Sequence, residues 1–126
     1  MMHATLRGAY AALLLSMPGL LAPCLAHAHA HLRQAEPPVG GTVHAAPAQV
    51  ELTFSEAVEP RFSTVAVTDA AGAQVDHADL HVAGGDARHL AVSVSALRPG
   101  TYTVVWHATA VDTHKTEGSF TFTVAP

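Results

Sequence analysis

Sulfur is scarce in this chain. Its single cysteine is Cys24 and its three methionines are Met1, Met2 and Met17. From Leu25 onward nothing is left to build a disulfide, a thiolate metal site or a thioether site for a soft ion. Charge is thin as well: Asp, Glu, Lys and Arg make up 13% of the residues, with a formal net charge of -4. Arg33, Arg61, Arg88, Arg98 and Lys115 are scattered rather than clustered, which removes the electrostatic footprint of a nucleic-acid binder. Past the amino-terminal segment no run approaches the roughly 20 apolar residues a membrane span needs. No nucleophile–base pair or phosphate loop stands out.

The first 28 residues have a pattern of their own. Arg7 gives a short basic head, Ala9 to Leu21 is apolar except for Ser16, Pro18 and Gly19, and Ala26-His27-Ala28 offers an A-x-A cleavage edge. That is a secretory signal, to be set aside before the fold is considered. Pro23 weakens a lipoprotein reading of Cys24. Ala26 and Ala30 are also possible edges, so that His27, His29 or His31 could become the first residue. The expected organisation is a signal peptide over 1–28 and one domain over 29–126, placed in the periplasm. That leaves 98 of the 126 residues, enough for one modest core and too few for two. Loss of Arg7 moves the net charge from -4 to -5.

Beyond the signal the hydrophobic period is two. Val50, Leu52 and Phe54 alternate with Gln49, Glu51 and Thr53, as in a strand buried on one side. Phe62 to Thr68 repeats the pattern less strictly, and Ala71-Gly72-Ala73 marks a turn. Leu90, Val92 and Val94 share a face within His89 to Val94. After Arg98-Pro99-Gly100 the segment Thr101 to Ala108 sets Tyr102, Val104, Trp106 and Ala108 against Thr101, Thr103, Val105 and His107. Phe120, Phe122 and Val124 close the series. Short strands between Pro/Gly turns, with no helical period, predict an all-β, two-sheet antiparallel sandwich. Phe54, Tyr102, Trp106 and Phe122 are its expected core.

Histidine is the abundant functional side chain. Of the 10 in the chain, all but His3 and His27 lie at or after His29. Imidazole without thiol or thioether suits Cu(II), Zn or Ni. His44, His77, His81 and His89 sit in polar stretches and read as surface residues.

Four pieces of the sequence, in order, carry a family resemblance from His29 to Val124. They are H-x-x-L followed by P-x-x-G (His29, Leu32, Pro37, Gly40), P-A-x-V-x-L-x-F-S-E (Pro47 to Glu56), P-G-x-Y-x-V-x-W (Pro99 to Trp106), and D-x-H followed by G-S-F-T-F-T-V (Asp112, His114, Gly118 to Val124). Together they resemble the CopC family of periplasmic copper-resistance proteins. The resemblance implies an Ig-like Greek-key β-sandwich or barrel of about seven strands. It also implies a Cu(II) site made by an amino-terminal histidine with the aspartate and histidine of D-x-H, which in this sequence are His29, Asp112 and His114. Only a first residue at His29 keeps Leu32, Pro37 and Gly40 in the family's register.

The chemistry of these groups agrees. Cu(II) favours a tetragonal set of nitrogen and oxygen donors. A terminal histidine offers its α-amine and its ring as one chelate, and displacing the amine's proton near neutrality costs only about 1 kcal/mol. His114 adds a nitrogen and Asp112 an anionic oxygen. In an extended segment residues two apart point to the same side, which would present both to one ion. His31 is an alternative ligand, because a third-place histidine can bind Cu(II) with the amine and two deprotonated backbone amides; otherwise it stands beside the site. His107 could orient a ligand by a hydrogen bond or lie on the surface. With no methionine left after processing, binding of Cu(II) alone is expected, without the methionine-rich Cu(I) site of some family members.

The resemblance therefore implies a monomeric, non-enzymatic Cu(II)-binding protein of copper resistance or homeostasis, which sequesters copper or delivers it to a separate membrane transporter of the CopD type. Two other readings stand beside it. One is a copper-dependent oxidative enzyme using the terminal histidine, and the other is an Ig-like interaction module whose histidines are incidental. The scarcity of aromatics outside the expected core, and a carboxylate where oxygen chemistry wants an open position, both weigh against the enzyme.

Overall fold

In the computed structural model, which describes residues 29–126, alternate side chains of each long strand enter one shared interior. The strands are β1 (Leu32–Glu36), β2 (Thr42–Val43), β3 (Gln49–Phe54), β4 (Thr64–Thr68), β5 (His81–Val82), β6 (His89–Ser93), β7 (Gly100–Thr109) and β8 (Lys115–Val124). They make two four-stranded sheets, ordered β1-β3-β6-β5 and β2-β8-β7-β4. The fold class is the all-β sandwich that the period-two pattern predicts. Among the described residues no helix is long and apolar enough to cross a membrane.

The core lies between the sheets. Val50, Leu52 and Phe54 of β3 face Val104, Trp106 and Ala108 of β7, all of them buried. Full burial of side chains of the Val, Leu or Phe kind is worth about 1.5–3 kcal/mol apiece, an upper estimate because the unfolded chain is already partly collapsed. Phe54 and Trp106 meet edge to face between the layers, with centroids 5.2 Å apart and an interplanar angle of 75°. Tyr102 stacks on Phe122 of the neighbouring strand, and its hydroxyl donates to the Arg98 carbonyl at 2.5 Å, so the one polar atom of this ring is satisfied at the sheet's end. Gly118 pairs with Trp106 in the β7–β8 ladder. A Cβ there would lie 2.6 Å from Trp106 Cζ2, so the absence of a side chain is what lets the indole lie flat over β8.

Two expectations need correction. Phe62 does not open a strand. Pro60–Phe62 forms a turn of 3-10 helix capped by the Glu59 carboxylate, which accepts from the Arg61 N–H at 3.2 Å. The strand begins at Thr64, and Phe62 is 70% exposed. Pro60 explains this: it lacks the N–H a ladder needs and supplies the φ of a helical first turn. The sandwich is also not wholly antiparallel, because β2 runs parallel to β8. After Pro37 and Pro38 the chain leaves the first sheet. Gly40, at φ +67, turns it towards the second, where the Gly40 N–H donates to the Thr121 carbonyl at 2.7 Å. A segment that changes sheets in this way can join the second at its edge in either direction.

Candidate metal centre

The β7–β8 hairpin closes through a short turn over residues 110–114. The Ala110 N–H donates to the His114 carbonyl at 2.9 Å, and the Thr113 N–H donates to the Ala110 carbonyl at 2.8 Å. Val111 is tied to the segment that links β3 and β4 by donating to the Ala57 carbonyl at 3.1 Å. Thr113 takes φ +78, an uncommon value for a β-branched residue. Asp112 and His114 therefore do not sit two apart on an extended strand. The left-handed residue between them folds the triplet back, and side chains that a strand would leave parallel converge.

That convergence is direct. The Asp112 carboxylate accepts from the His114 backbone N–H at 3.1 Å through one oxygen and lies 3.0 Å from His114 Nδ1 through the other. Hydrogen bonds from the His114 side chain and backbone, reinforced by nearby imidazole charge, hold the Asp112 carboxyl below its ordinary value. It is an anion throughout the neutral range. Both groups remain half open to solvent.

His29 reaches the same place from the beginning of the described chain. Its ring is half-buried and stands perpendicular to that of His114, with centroids 5.2 Å apart. With metal–nitrogen bonds of about 2.0–2.1 Å, two imidazoles on one ion would have centroids roughly 4.5–6 Å apart. The observed spacing falls inside that range. Among the described residues no three imidazole or carboxylate groups yet close on a single point. Asp112 and His114 face each other, and an ion would have to replace that contact with bonds to itself.

The segment carrying His29 is pinned by two side chains that the sequence patterns do not single out. Ser55, just beyond β3, donates its hydroxyl to the His29 carbonyl at 3.0 Å and accepts the His31 N–H at 2.9 Å. Its own N–H donates to the His31 carbonyl at 2.8 Å. Thr116 of β8 donates its hydroxyl to the Ala30 carbonyl at 2.8 Å, and Ala30 is fully buried. Leu32 packs against the core and anchors the segment, and these hydroxyls add direction to it. Ser55 belongs to the F-S-E stretch and Thr116 follows D-x-H by two residues. Only the topology that brings the ends of β3 and β8 together reveals their use.

The other two candidate residues part company. His31 is exposed, and its ring lies 6.2 Å from that of His29, at 84°. It borders the cluster. His107 lies on the outer face of its sheet, where Nε2 is 3.1 Å from the Glu117 carboxylate and Nδ1 is 3.5 Å from the Thr64 hydroxyl. His44, His77, His81 and His89 are exposed, as their polar settings suggest.

A small two-sheet sandwich with its first residues held beside a D-x-H hairpin turn defines a class of protein, and comparison with known proteins identifies the family. Residues 32–125 match the model of the CopC domain, and the chain belongs to that family. It is 38% identical over 124 residues to the protein YobA of Escherichia coli (strain K12), covering 98% of this chain and 99% of YobA. It is also 38% identical over 112 residues to copper resistance protein C of Pseudomonas syringae pv. tomato, covering 84% of this chain and 88% of that protein. The crystal structure of CopC from Methylosinus trichosporium OB3b superposes with a TM-score of 0.72 at 32% identity, covering 78% of this chain and 95% of that one.

Proposed function

We propose that this chain, once its first 28 residues are removed, is a periplasmic Cu(II)-binding protein of copper resistance or homeostasis, with copper as its cargo. The ligands in this reading are the α-amine and ring of His29, the Asp112 carboxylate and the His114 ring. The observation that carries it is the meeting of His29 with the Asp112–His114 pair, brought together from opposite ends of the domain. The relationship to copper resistance protein C supports copper as the ion. The donor set supports the oxidation state: nitrogen and carboxylate oxygen suit Cu(II), and the only methionines precede residue 29. One carboxylate against a 2+ ion leaves a positive centre at the surface of an acidic domain.

The half-open position of Asp112 and His114 suits an ion that has to leave again. We therefore place the protein upstream of a separate membrane copper transporter of the CopD type, as a monomeric donor or store. An oxidative enzyme finds less support. Phe62 is the one exposed aromatic among the described residues, a poor platform for a polymeric substrate.

The test is made on protein exported and processed from the full chain. Its mass should correspond to a first residue at His29. It should then bind one Cu(II), with an electron paramagnetic resonance signal altered by His114→Ala and by Asp112→Asn. A first residue other than His29, or a signal indifferent to both substitutions, would overturn the assignment.

A further inference from the structure

The sequence His29-Ala30-His31 contains two ways of holding Cu(II), and they exclude each other. In the first, the His29 amine and ring join Asp112 and His114. In the second, the amine joins the backbone nitrogens of residues 30 and 31 and the ring of His31, all four nitrogens in one plane. A short peptide free in water with this sequence has no reason to refuse the second. The folded chain has one, and it lies in the hydrogen bonds of a single side chain.

We infer that Ser55 is a positioning residue that selects the copper-binding mode: it occupies the His31 amide, closes the peptide chelate, and holds His29 beside Asp112 and His114. The inference rests on the reading of those three residues as the copper site.

A backbone nitrogen bound to copper carries no hydrogen, whereas here the His31 N–H is given to Ser55 Oγ at 2.9 Å. The same hydroxyl donates its own hydrogen to the His29 carbonyl at 3.0 Å, so both ends of the tripeptide are fixed by one oxygen. The His31 nitrogen shares its peptide unit with the Ala30 carbonyl, which the Thr116 hydroxyl holds at 2.8 Å, so this unit is fixed at both of its polar ends; the Ser55 N–H holds the next unit by the His31 carbonyl, also at 2.8 Å. The Ala30 nitrogen shares its unit with the His29 carbonyl that the Ser55 hydroxyl holds, and Ala30 is fully buried, so this nitrogen cannot swing into a plane with the others without lifting the segment off the sandwich. The planar mode therefore requires both hydrogen bonds of the Ser55 hydroxyl, and the Thr116 bond beside them, to break together. Meanwhile the half-buried ring of His29 already stands 5.2 Å from that of His114, while the exposed ring of His31 lies 6.2 Å from that of His29. A hydroxyl that donates and accepts at once is what position 55 must supply, so Ser55→Thr should serve and Ser55→Ala should not.

The experiment uses the processed protein, loaded with Cu(II) alone or Ni(II) alone. In the parent and in Ser55→Thr, the copper resonance should be that of a mixed nitrogen–oxygen site sensitive to His114→Ala. In Ser55→Ala it should shift to the four-nitrogen planar type, lose its sensitivity to His114→Ala, and revert only when His31→Ala is added. Ni(II) should give the yellow square-planar absorption with Ser55→Ala and not with the parent. A folded Ser55→Ala protein that keeps the parent signal overturns the role of Ser55, while indifference of the parent signal to His114→Ala overturns the copper site itself. If Ser55→Ala does not fold, hydrogen exchange in the parent decides. The His31 amide should be strongly slowed, and exchange at the rate of an open peptide overturns the inference.

Discussion

The ring of His29 stands at right angles to that of His114, with centroids 5.2 Å apart. This contact joins the first described residues to the last hairpin, so an ion held there draws on both ends of the domain. Replacing His114 by alanine removes one nitrogen donor and leaves Asp112 without its partner. Even the loss of an outer partner costs a metal site about 10–100-fold in affinity, so Cu(II) affinity should fall by at least about 100-fold. Competition against a chromophoric chelator measures it. A ligand that binds only the folded state at about 100 times its Kd stabilises by about 2.7 kcal/mol, so copper should raise the parent's Tm far more than the variant's.

Acid should act on two carboxylates away from the candidate centre. Asp79 accepts hydrogen bonds from the hydroxyl and the N–H of Ser93, the latter at 2.8 Å, and these hold its carboxyl below 3.8. Asp86 is held down by the Arg88 backbone N–H and side chain. A carboxyl depressed in the folded state contributes its full stabilisation above the unfolded value and loses it as pH falls through the lower folded value. Denaturant midpoints followed from neutral pH to about pH 2 should therefore decline below about pH 4. The decline should be shallower in Asp79→Asn. An identical acid limb in parent and variant would rule out this contribution.

Thr113 is a place where stability can be gained. Its φ of +78 is a conformation glycine adopts freely. Strain of this kind costs on the order of 1–3 kcal/mol, while glycine's extra freedom in the unfolded chain costs about 0.5–1 kcal/mol. Thr113→Gly should be stabilising by about 1 kcal/mol, or roughly 4–8 °C in Tm for a domain of this size. Thermal unfolding of the metal-free protein tests this.

Gly118→Ala should act in the opposite direction. Its Cβ would meet Trp106 Cζ2 at 2.6 Å, and the indole is 7% exposed and packed on Phe54, with little room to retreat. Overpacking of this sort costs about 1–3 kcal/mol. Trp106 is the only tryptophan, so its fluorescence should report both the displaced ring and the lowered denaturant midpoint.

The sandwich was legible wherever a strand buries one face against the other layer. Gln49–Phe54 and Gly100–Thr109 show this, since their alternation is the burial pattern itself. It was silent for Thr42–Val43 and His81–Val82, two-residue edges held by their neighbours and too short to have a period. Phe62 misled because the loose alternation of the strand that follows extends back to it in the sequence, whereas Pro60 had already diverted the chain. At the candidate centre the residue types were readable and their geometry was not. D-x-H names two candidate ligands, but the fold-back at Thr113 that turns them together is a backbone conformation. Ser55 and Thr116 act on a segment distant in sequence, so no local pattern could mark them.

Ser55 follows a strand of one sheet and Thr116 lies in a strand of the other, and both grip the tripeptide that begins at His29. The tripeptide thus works as a strap across the mouth of the two layers. An ion tying it to the β7–β8 turn would behave as a rivet, resisting any sliding of one sheet over the other. Metal should then slow the opening of that end of the sandwich more than its far end, where Tyr102 ties the crossover from β6 to β7 by its bond to Arg98 without help.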